Sequence, residues 1–225
     1  MSANVLKIIA LVSMTIDHMG LMLFPDQSWM RIVGRIAFPI FAFMIAEGCE
    51  HTHNRSKYLS QIAIMGIGMQ IVLFIATGSL YQSVFISFTL AIILIYAIDK
   101  AKNEKQSIYW LYVLLSSLAV LFLCLCLPKI LHNTDYDIDY NIVGVCIPVL
   151  CYFSRNKKEK VLLFTFGLVA LSVFYGGIQW FCLMSVPLIA MYNYQKGRFA
   201  IKKLFYIYYP AHLLILFAIE TIINR

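Results

Sequence analysis

The sequence has little charge and no stretch that reads as a linker. Only 13% of its 225 residues are Asp, Glu, Lys or Arg, whereas 61% are hydrophobic. A soluble domain of this length could not hide so much apolar surface, because roughly half of its surface would remain in contact with water. No tract is rich in Gly, Ser or Pro, and no segment is of low complexity. The sequence therefore predicts a single domain over residues 1–225.

Internal repeats and cysteine motifs are also missing. No segment repeats another convincingly, which disfavours a transporter built from inverted repeats. The six cysteines lie within or beside apolar segments, and their spacing matches neither a zinc pattern nor a disulfide framework. We expect them to act as small hydrophobic side chains, and we expect no metal cofactor.

The apolar residues form nine runs, most of them near the 20 or so residues that cross a bilayer. The predicted spans are 5–24, 30–50, 58–77, 81–98, 107–127, 140–154, 161–175, 178–194 and 203–222. The first run contains charged residues and no small-residue cleavage site, so it is expected to be a retained helix. The prediction is an all-α, multi-pass helical bundle of about nine transmembrane helices in the cell (cytoplasmic) membrane.

Basic residues are concentrated in alternate loops. The loops after the second, fourth, sixth and eighth spans read HNRSK, DKAKNEKQ, RNKKEK and QKGRFAIKK. The intervening loops contain a single basic residue of the Lys or Arg type, Lys129. Short loops rich in Lys and Arg stay in the cytoplasm. The amino terminus is therefore predicted to be cytoplasmic and the carboxyl terminus external. The same rule accounts for the net charge of +7, so we expect a lipid bilayer and no nucleic acid as partner.

One predicted external loop is acidic. Asp135, Asp137 and Asp139 precede the sixth span at alternate positions. The simplest interpretation is a solvated loop. Calcium binding is the alternative, because alternate carboxylates can converge on a hard cation. The remaining ligands of a calcium loop are missing from the sequence.

The first two spans contain ionisable residues at membrane depth. Asp17, His18 and Arg35 lie inside runs that are otherwise almost wholly apolar. Such side chains cost from about 3 to more than 10 kcal/mol, so they usually face a bundle interior or a watery cavity. If residues 25–27 form the turn of a hairpin, Asp17 and Arg35 both lie about 10 Å below the same face. We expect these residues to form the functional centre.

His18 is the candidate general base, because a free imidazole has a pKa of about 6.5 and is mostly neutral at cellular pH. Asp17 is its neighbour in sequence and points about 100° away on a helix. Asp17 is thus better placed to bind Arg35 or to orient a group on another helix. The alternative is structural: a buried ion pair and a hydrogen-bonded histidine that fix helix packing.

A second group of candidates lies near the cytoplasmic end of the second span. Glu47 and His51 are four residues apart and share one helix face. His51, Arg55 and Lys57 form a basic cap that could bind the phosphates of a nucleotide-bearing cofactor. The alternative for this cap is an ordinary positively charged cytoplasmic loop.

Further polar candidates lie elsewhere in the chain. His212 follows Pro210 in the motif YYPAHLL, at about the predicted depth of His18. Gln70 in the third span is a candidate substrate-binding residue, as is Glu47. Gln179, near the outer end of the eighth span, is another polar candidate.

The motifs IDHMG, RIAFPIFAFMIAEG, HTHNRSKYL and YYPAH resemble those of the TraX family, the integral-membrane acetylases of conjugative pilin. The resemblance covers the first seventy residues best and returns near the carboxyl terminus. The first span is also similar to that of other transmembrane acyltransferases, in which a membrane histidine serves catalysis. His18 occupies the comparable position.

The resemblance implies an integral-membrane acetyltransferase. Cytoplasmic acetyl-CoA would be the donor, with its phosphates bound by His51, Arg55 and Lys57. The acceptor would be an amine or hydroxyl of a peptide amino terminus, lipid or glycan, at or across the membrane. His18 would act as base with Asp17, and Arg35 or His212 would stabilise the oxyanion.

Two other classes of function remain open from the sequence. A small proton-coupled transporter could use Asp17, His18 and Arg35 as a relay. A non-catalytic assembly protein of a conjugation or secretion machine would need none of the ionisable residues at depth.

Overall fold

The computed structural model of the chain describes residues 1–104, 106–197 and 202–223. These residues are helical apart from their loops and one isolated bridge between Gln82 and Ile138. The predicted all-α class is therefore confirmed. Residue 105 and residues 198–201, which belong to the second and fourth predicted basic loops, lie outside the described residues.

The described residues form eleven α-helices in succession. They are α1 Ala3–Met22, α2 Ser28–Gly34, α3 Ala37–His51, α4 Arg55–Thr77, α5 Val84–Glu104, α6 Ser107–Leu121, α7 Leu127–Ile130, α8 Asn141–Tyr152, α9 Lys157–Tyr175, α10 Ser185–Ala190 and α11 Lys202–Ile223. A π-helical turn, Phe122–Cys126, joins α6 to α7, and a 3₁₀ segment, Gly177–Met184, precedes α10. If α2 and α3 are counted as one segment, α6 and α7 as one, and the 3₁₀ segment and α10 as one, the described helices occupy the positions of the nine predicted spans.

Five of these helical segments are long and apolar enough to cross a membrane. They are Ala3–Met22, Ser28–His51, Arg55–Thr77, Val84–Glu104 and Ser107–Ile130. Asn141–Tyr152, Gly177–Ala190 and Tyr208–Ile223 are apolar but shorter. Large apolar side chains are exposed along α4 and α6, as expected for helices that face lipid. A membrane protein is thus supported, while the number of nine spans stays a prediction.

The chain forms two compact units. The first contains residues 1–44 and 168–225, and the second contains residues 45–167. In the first unit, Leu11 and Met14 of α1 pack with Ala37, Phe41 and two tyrosines of α11. In the second unit, α5 lies at the centre and packs against α4, α6 and α8.

The second predicted span, 30–50, is interrupted at Arg35. Pro39 has no N–H, so it cannot donate the helical i to i−4 hydrogen bond to the carbonyl of Arg35. The backbone turns there through hydrogen bonds of i to i−3 type, from Arg35 to Ile32 and from Ile36 to Val33. The break sets Arg35 at the joint between α2 and α3.

Proline explains the π-helical turn in the same way. Pro128 cannot donate to the carbonyl of Cys124, and the Nδ2 of Asn141 donates to it instead at 3.0 Å. The freed carbonyl of a helix in the second unit is therefore satisfied by a side chain from the start of α8.

Helix α9 begins earlier than the predicted span at 161. Asn156 accepts a hydrogen bond from the N–H of Glu159, and the Glu159 carboxylate accepts one from the N–H of Arg155. The Asn-x-x-Glu spacing is that of a capping box, with the carboxylate accepting from the residue before Asn156. Lys160 was assigned to a cytoplasmic loop, and that assignment is wrong: it lies in α9 and is only 5% exposed.

The three aspartates of the predicted external loop bind protein donors in the second unit. Asp135 accepts hydrogen bonds from the hydroxyl of Ser79 and the N–H of Leu80, and Asp139 accepts one from Tyr81. Asp137 accepts a hydrogen bond from the side chain of Asn141. The residues that the structure describes contain no group of three metal-ligating side chains. Hydrogen bonds therefore attach this loop to residues 79–82.

These contacts predict how the loop titrates. The Ser79 hydroxyl, and after it the Leu80 N–H, lower the pKa of Asp135 below its ordinary value. The contact is therefore complete at neutral pH and is lost as the pH falls through the lowered pKa. We expect the Leu80 amide resonance to titrate with a midpoint below about 3.9, the ordinary Asp value. In Asp135→Asn that titration should vanish, whereas Asp26→Asn, in another loop, should leave it unchanged. A midpoint at or above the ordinary value would contradict the assignment.

Candidate active site

The first unit brings Asp17 and Arg35 together, as their spacing in the sequence predicts. Arg35 donates from Nη2 to both carboxylate oxygens of Asp17, at 2.9 and 3.1 Å. The side chains are 13% and 14% exposed, respectively. A two-oxygen contact of this kind fixes the orientation of both groups and is stronger than a hydrogen bond between neutral partners.

Arg31 is a member of this cluster that the sequence analysis did not include. Its Nη1 lies 2.7 Å from Asp17 Oδ2 and also donates to the main-chain carbonyl of Asp17. Arg31 and Arg35 are four residues apart, so their like charges share one helix face and would repel each other without an anion between them. That spacing was the signal in the sequence. Two guanidinium groups on one carboxylate leave a formal charge of +1.

Gln179 completes the surroundings of Arg35. Its side-chain oxygen accepts from Arg35 Nη1 at 3.3 Å, and the residue is 5% exposed. Its Nε2 has no hydrogen-bond partner within the described part of the chain. A buried amide N–H without a partner is costly, so it marks a place where an oxygen atom of a ligand could bind.

His18 and His212 contact each other directly, in agreement with their predicted common depth. His18 Nδ1 lies 2.8 Å from His212 Nε2. The two rings are nearly parallel, with centroids 5.0 Å apart and an angle of 18° between the planes. His18 therefore faces α11 while its neighbour Asp17 faces α2, which agrees with the predicted divergence of the two side chains.

Tyrosines of α11 hold this histidine pair. The main-chain carbonyl of Tyr208 lies 2.9 Å from His212 Nδ1, and the Tyr208 hydroxyl lies 2.7 Å from Thr15 Oγ1 on α1. The ring of Tyr209 contacts both imidazoles edge-on. The α1–α11 contact thus contains an ordered polar chain within apolar packing.

Close approach of α1 and α2 makes the ion pair possible. Both helices contribute a glycine to the contact: a Cβ at Gly20 would meet Met30 at 2.7 Å, and a Cβ at Gly34 would overlap the side chain of Asp17. Small residues allow two membrane helices to pack closely. Gly34 leaves the room that the Asp17 carboxylate occupies.

Glu47 has a buried partner that the sequence analysis missed. Lys160 binds Glu47 at 2.8 Å and Glu50 at 2.7 Å. The Glu47 and Lys160 side chains are each 7% exposed. The sequence signal for Lys160 was the capping box before it, which sets the lysine inside a helix. Glu47 therefore joins two elements of the second unit, and its binding of a substrate stays a prediction.

The predicted basic cap lies in the second unit, and part of its charge is already paired within the protein. Arg55 binds Asp99 at 2.6 Å and lies over the ring of Tyr96. The His51 Nδ1 lies 3.0 Å from the carbonyl of Glu47. The side chain of Lys57 is exposed, while its N–H is capped by Asn54. Lys57 is thus the member of the cap with an exposed ammonium group and no acidic partner at salt-bridge distance in the described residues.

Gln70 lies toward the other end of α4 from the basic cap. Its Nε2 donates to the carbonyl of Ser79 at 3.0 Å. Fifteen residues of helix separate Gln70 from Arg55, a distance of about 22 Å. The structure does not bring Gln70 near Glu47 or the cap, and its substrate-binding role stays a prediction.

These observations support a helical membrane protein with a partly buried cationic cluster and a paired histidine in the same unit. Comparison with known proteins identifies the family. The chain matches the family model described as TraX protein over residues 2–220. The protein belongs to the TraX family.

Curated relatives agree with this assignment. A probable fimbrial assembly protein, FimC, of Dichelobacter nodosus is 27% identical, and the alignment covers 96% of this chain and 94% of that protein. An uncharacterized protein of Rickettsia prowazekii is 29% identical over 76% of this chain and 62% of its own. A protein of Escherichia coli named Protein TraX is 32% identical over 35% of this chain and 32% of its own. No solved structure matches the chain significantly.

Proposed function

We propose that this protein is an integral-membrane acetyltransferase that moves an acetyl group from cytoplasmic acetyl-CoA to an amine or hydroxyl acceptor. The observation that carries the proposal is the pairing of His18 with His212 beside the cationic cluster of Asp17, Arg31 and Arg35. An imidazole base next to fixed positive charge is what acyl transfer needs. Family membership supports the same reaction class.

His18 takes the proton of the attacking acceptor in this scheme. The acceptor's N–H or O–H bond breaks as its lone pair forms the bond to the acetyl carbon. The electrons of the thioester carbonyl move onto its oxygen and return as the C–S bond breaks. His18 then gives the same proton to the departing sulfur, so the products are an acetylated acceptor and CoA thiol.

The arginines stabilise the negative charge that forms on the carbonyl oxygen. Asp17 holds both guanidinium groups in place and leaves a formal charge of +1 for that oxygen. Donors that are already oriented need no reorganisation when the charge develops, and removing one such donor typically costs about 10² to 10³ in rate. Arg31, 26% exposed, is the member more open to a substrate.

Binding of the donor is a separate part of the proposal. His51, Arg55 and Lys57 remain the proposed phosphate-binding residues, and Lys57 has an exposed ammonium group with no acidic partner at salt-bridge distance in the described residues. Because Asp99 already neutralises Arg55, Lys57 should supply the largest share of the attraction to phosphate. A compact ammonium on a flexible chain binds phosphate as a point charge.

The donor proposal predicts a change in the Michaelis constant. Replacement of His51, Arg55 and Lys57 by Ala should raise the KM for acetyl-CoA and leave the acceptor KM largely unchanged. Lys57→Ala alone should produce most of the increase, and added salt should weaken donor binding through screening. The matched control is Lys129→Ala, which removes a lysine from the predicted external side. An unchanged donor KM in the triple variant would return these residues to the role of an ordinary cytoplasmic loop.

A non-catalytic assembly role is the second candidate. The relative of Dichelobacter nodosus is named a probable fimbrial assembly protein, and other relatives carry the name of a conjugation-associated family. Under this alternative, replacement of His18 or Arg35 would leave the function intact. The buried pairs would then serve helix packing alone.

Mass spectrometry of cells with and without the gene tests the proposal. Peptides, lipids and glycans of the membrane fraction should include a species that carries one acetyl group only when the gene is present. The species should disappear in His18→Ala cells that contain equal amounts of protein. Its persistence in those cells, or its presence without the gene, would contradict the proposal. Proton-dependent uptake into vesicles without acetyl transfer would instead indicate a transporter.

A further inference from the structure

The hydrogen bonds of His212 determine its protonation. Its Nδ1 lies 2.9 Å from the main-chain carbonyl oxygen of Tyr208, which can only accept. Nδ1 therefore carries the proton and donates it. A neutral imidazole has one N–H, so Nε2 of His212 holds a lone pair.

The lone pair of His212 in turn fixes the protonation of His18. His18 Nδ1 lies 2.8 Å from His212 Nε2, and a hydrogen bond at this distance needs one proton between them. Since Nε2 of His212 cannot supply it, Nδ1 of His18 does. His18 is then the tautomer that carries its proton on Nδ1 and a lone pair on Nε2.

We propose that His212 is a positioning residue, and that it holds His18 in the tautomer whose Nε2 is the base. The statement that Nε2 acts as a base rests on the proposed function, whereas the tautomer itself does not depend on that function. Both nitrogens of His212 are engaged, so His212 has no N–H left for an oxyanion. Of the two candidates for stabilising the oxyanion, Arg35 and His212, only the arginine has N–H groups to donate, and Arg31 lies beside it.

Two features of the surroundings hold the histidine pair in place. Thr15 donates its only hydroxyl proton to the carbonyl of Leu11 at 2.9 Å, so the Tyr208 hydroxyl must be the donor to Thr15. That bond holds α11 against α1. His212 is 6% exposed, so little water can compete for its lone pair.

The hydrogen bond to His212 also persists in the protonated form of His18 through which the reaction passes. When Nε2 of His18 takes the acceptor's proton, both ring nitrogens carry hydrogen and the ring is positive. The hydrogen bond from Nδ1 to His212 becomes charge-assisted and so strengthens. Nε2 then returns the proton to the departing sulfur, and the pair is restored with no net change.

Two replacements of His212 test the positioning role in acetyl transfer. The amide oxygen of Gln can reach the position of Nε2 and accept from His18, whereas Phe keeps the ring volume and accepts nothing. We expect His212→Phe to lower kcat by about 10²-fold or more. His212→Gln should stay within about tenfold of the natural protein, with KM values unchanged in both. Equal losses in folded Gln and Phe variants would contradict the positioning role.

Nitrogen-15 spectra of the histidine rings give a readout that does not require activity. At about pH 8, above the ordinary pKa of histidine, His18 should show a protonated Nδ1 and an unprotonated Nε2. His212→Phe should convert His18 to a mixture of tautomers. Tyr208→Phe should leave the signal unchanged, because the main-chain carbonyl remains. A proton on Nε2 of neutral His18 in the natural protein would overturn the inference. The predicted tautomer in a protein without acetyl transfer would overturn the proposed function alone.

Discussion

His18→Ala is expected to lower acetyl-transfer turnover by about 10²- to 10⁴-fold while the protein still folds and inserts. The loss follows from removal of the group that accepts the proton of the attacking nitrogen or oxygen. Folding should persist, because the substitution removes a half-buried polar side chain and leaves a small cavity between α1 and α11. Turnover per folded protein, measured with acetyl-CoA and the natural acceptor, checks this expectation.

Three controls separate catalysis by His18 from a structural role. His18→Gln should not recover turnover, because an amide can hydrogen-bond but cannot take the proton. Higher pH should partly restore His18→Ala if the acceptor is an amine, since its neutral form then accumulates. His132→Ala, at an exposed loop histidine, should change nothing. If Gln restored both folded protein and turnover, His18 would have a structural role.

Gly34→Ala is expected to disrupt the cationic cluster with the addition of a single methyl group. A Cβ at this position would overlap Oδ1, Cβ and Cγ of Asp17. Asp17 would have to move away from Arg35, or α2 away from α1. Overpacking and damage to a buried ion pair together should cost about 3 kcal/mol. That corresponds to a fall of roughly 6–12 °C in Tm for a chain of this size.

Gly68→Ala is the matched control for this prediction. Gly68 lies inside α4, and a Cβ there would have no atom within 4 Å. Ala should leave Tm unchanged or raise it, because Ala favours helix over Gly by about 1 kcal/mol. Thermal unfolding of both variants in the same detergent makes the comparison. Equal Tm values for Gly34→Ala and the natural protein would contradict the packing described for Asp17.

The ion pair of the first unit could be predicted from the sequence because each element of the argument was local. The helix rise sets the depth of Asp17 and Arg35 once the turn at residues 25–27 is assigned. The helix period directs Asp17 and His18 to different partners. The contact between His18 and His212 was predicted only as a common depth, since α1 and α11 are almost two hundred residues apart and spacing says nothing of their adjacency.

Other parts of the site depended on signals that were present but not used. Pro39 predicts the helix break at Arg35, because it removes the donor for that carbonyl. The spacing of Arg31 and Arg35 predicts a shared anion. Lys160 was assigned to a loop by its charge, although the capping box that begins at Asn156 predicts it inside a helix.

The partners of the basic cap were less accessible to sequence reasoning. Arg55 and Asp99 lie on different helices of the second unit, and their contact depends on the packing of α4 against α5. The positive-inside pattern predicts the side of the membrane but does not indicate which charges are already paired. Because Arg55 is already paired, the donor proposal gives the most weight to Lys57.

The central claim is that His18 and the cluster beside it transfer an acetyl group. Its most direct test is release of CoA thiol from acetyl-CoA by the purified protein in lipid vesicles, with a membrane extract as the source of acceptor. The natural protein should release thiol only when the extract is present, with one acetyl group added to the acceptor for each thiol released. The rate of thiol release by folded His18→Ala should be lower by about 10²-fold or more. Equal thiol release by the two folded proteins would contradict the account. So would the absence of thiol release from the natural protein when the extract contains an acceptor that cells acetylate only when they carry the gene.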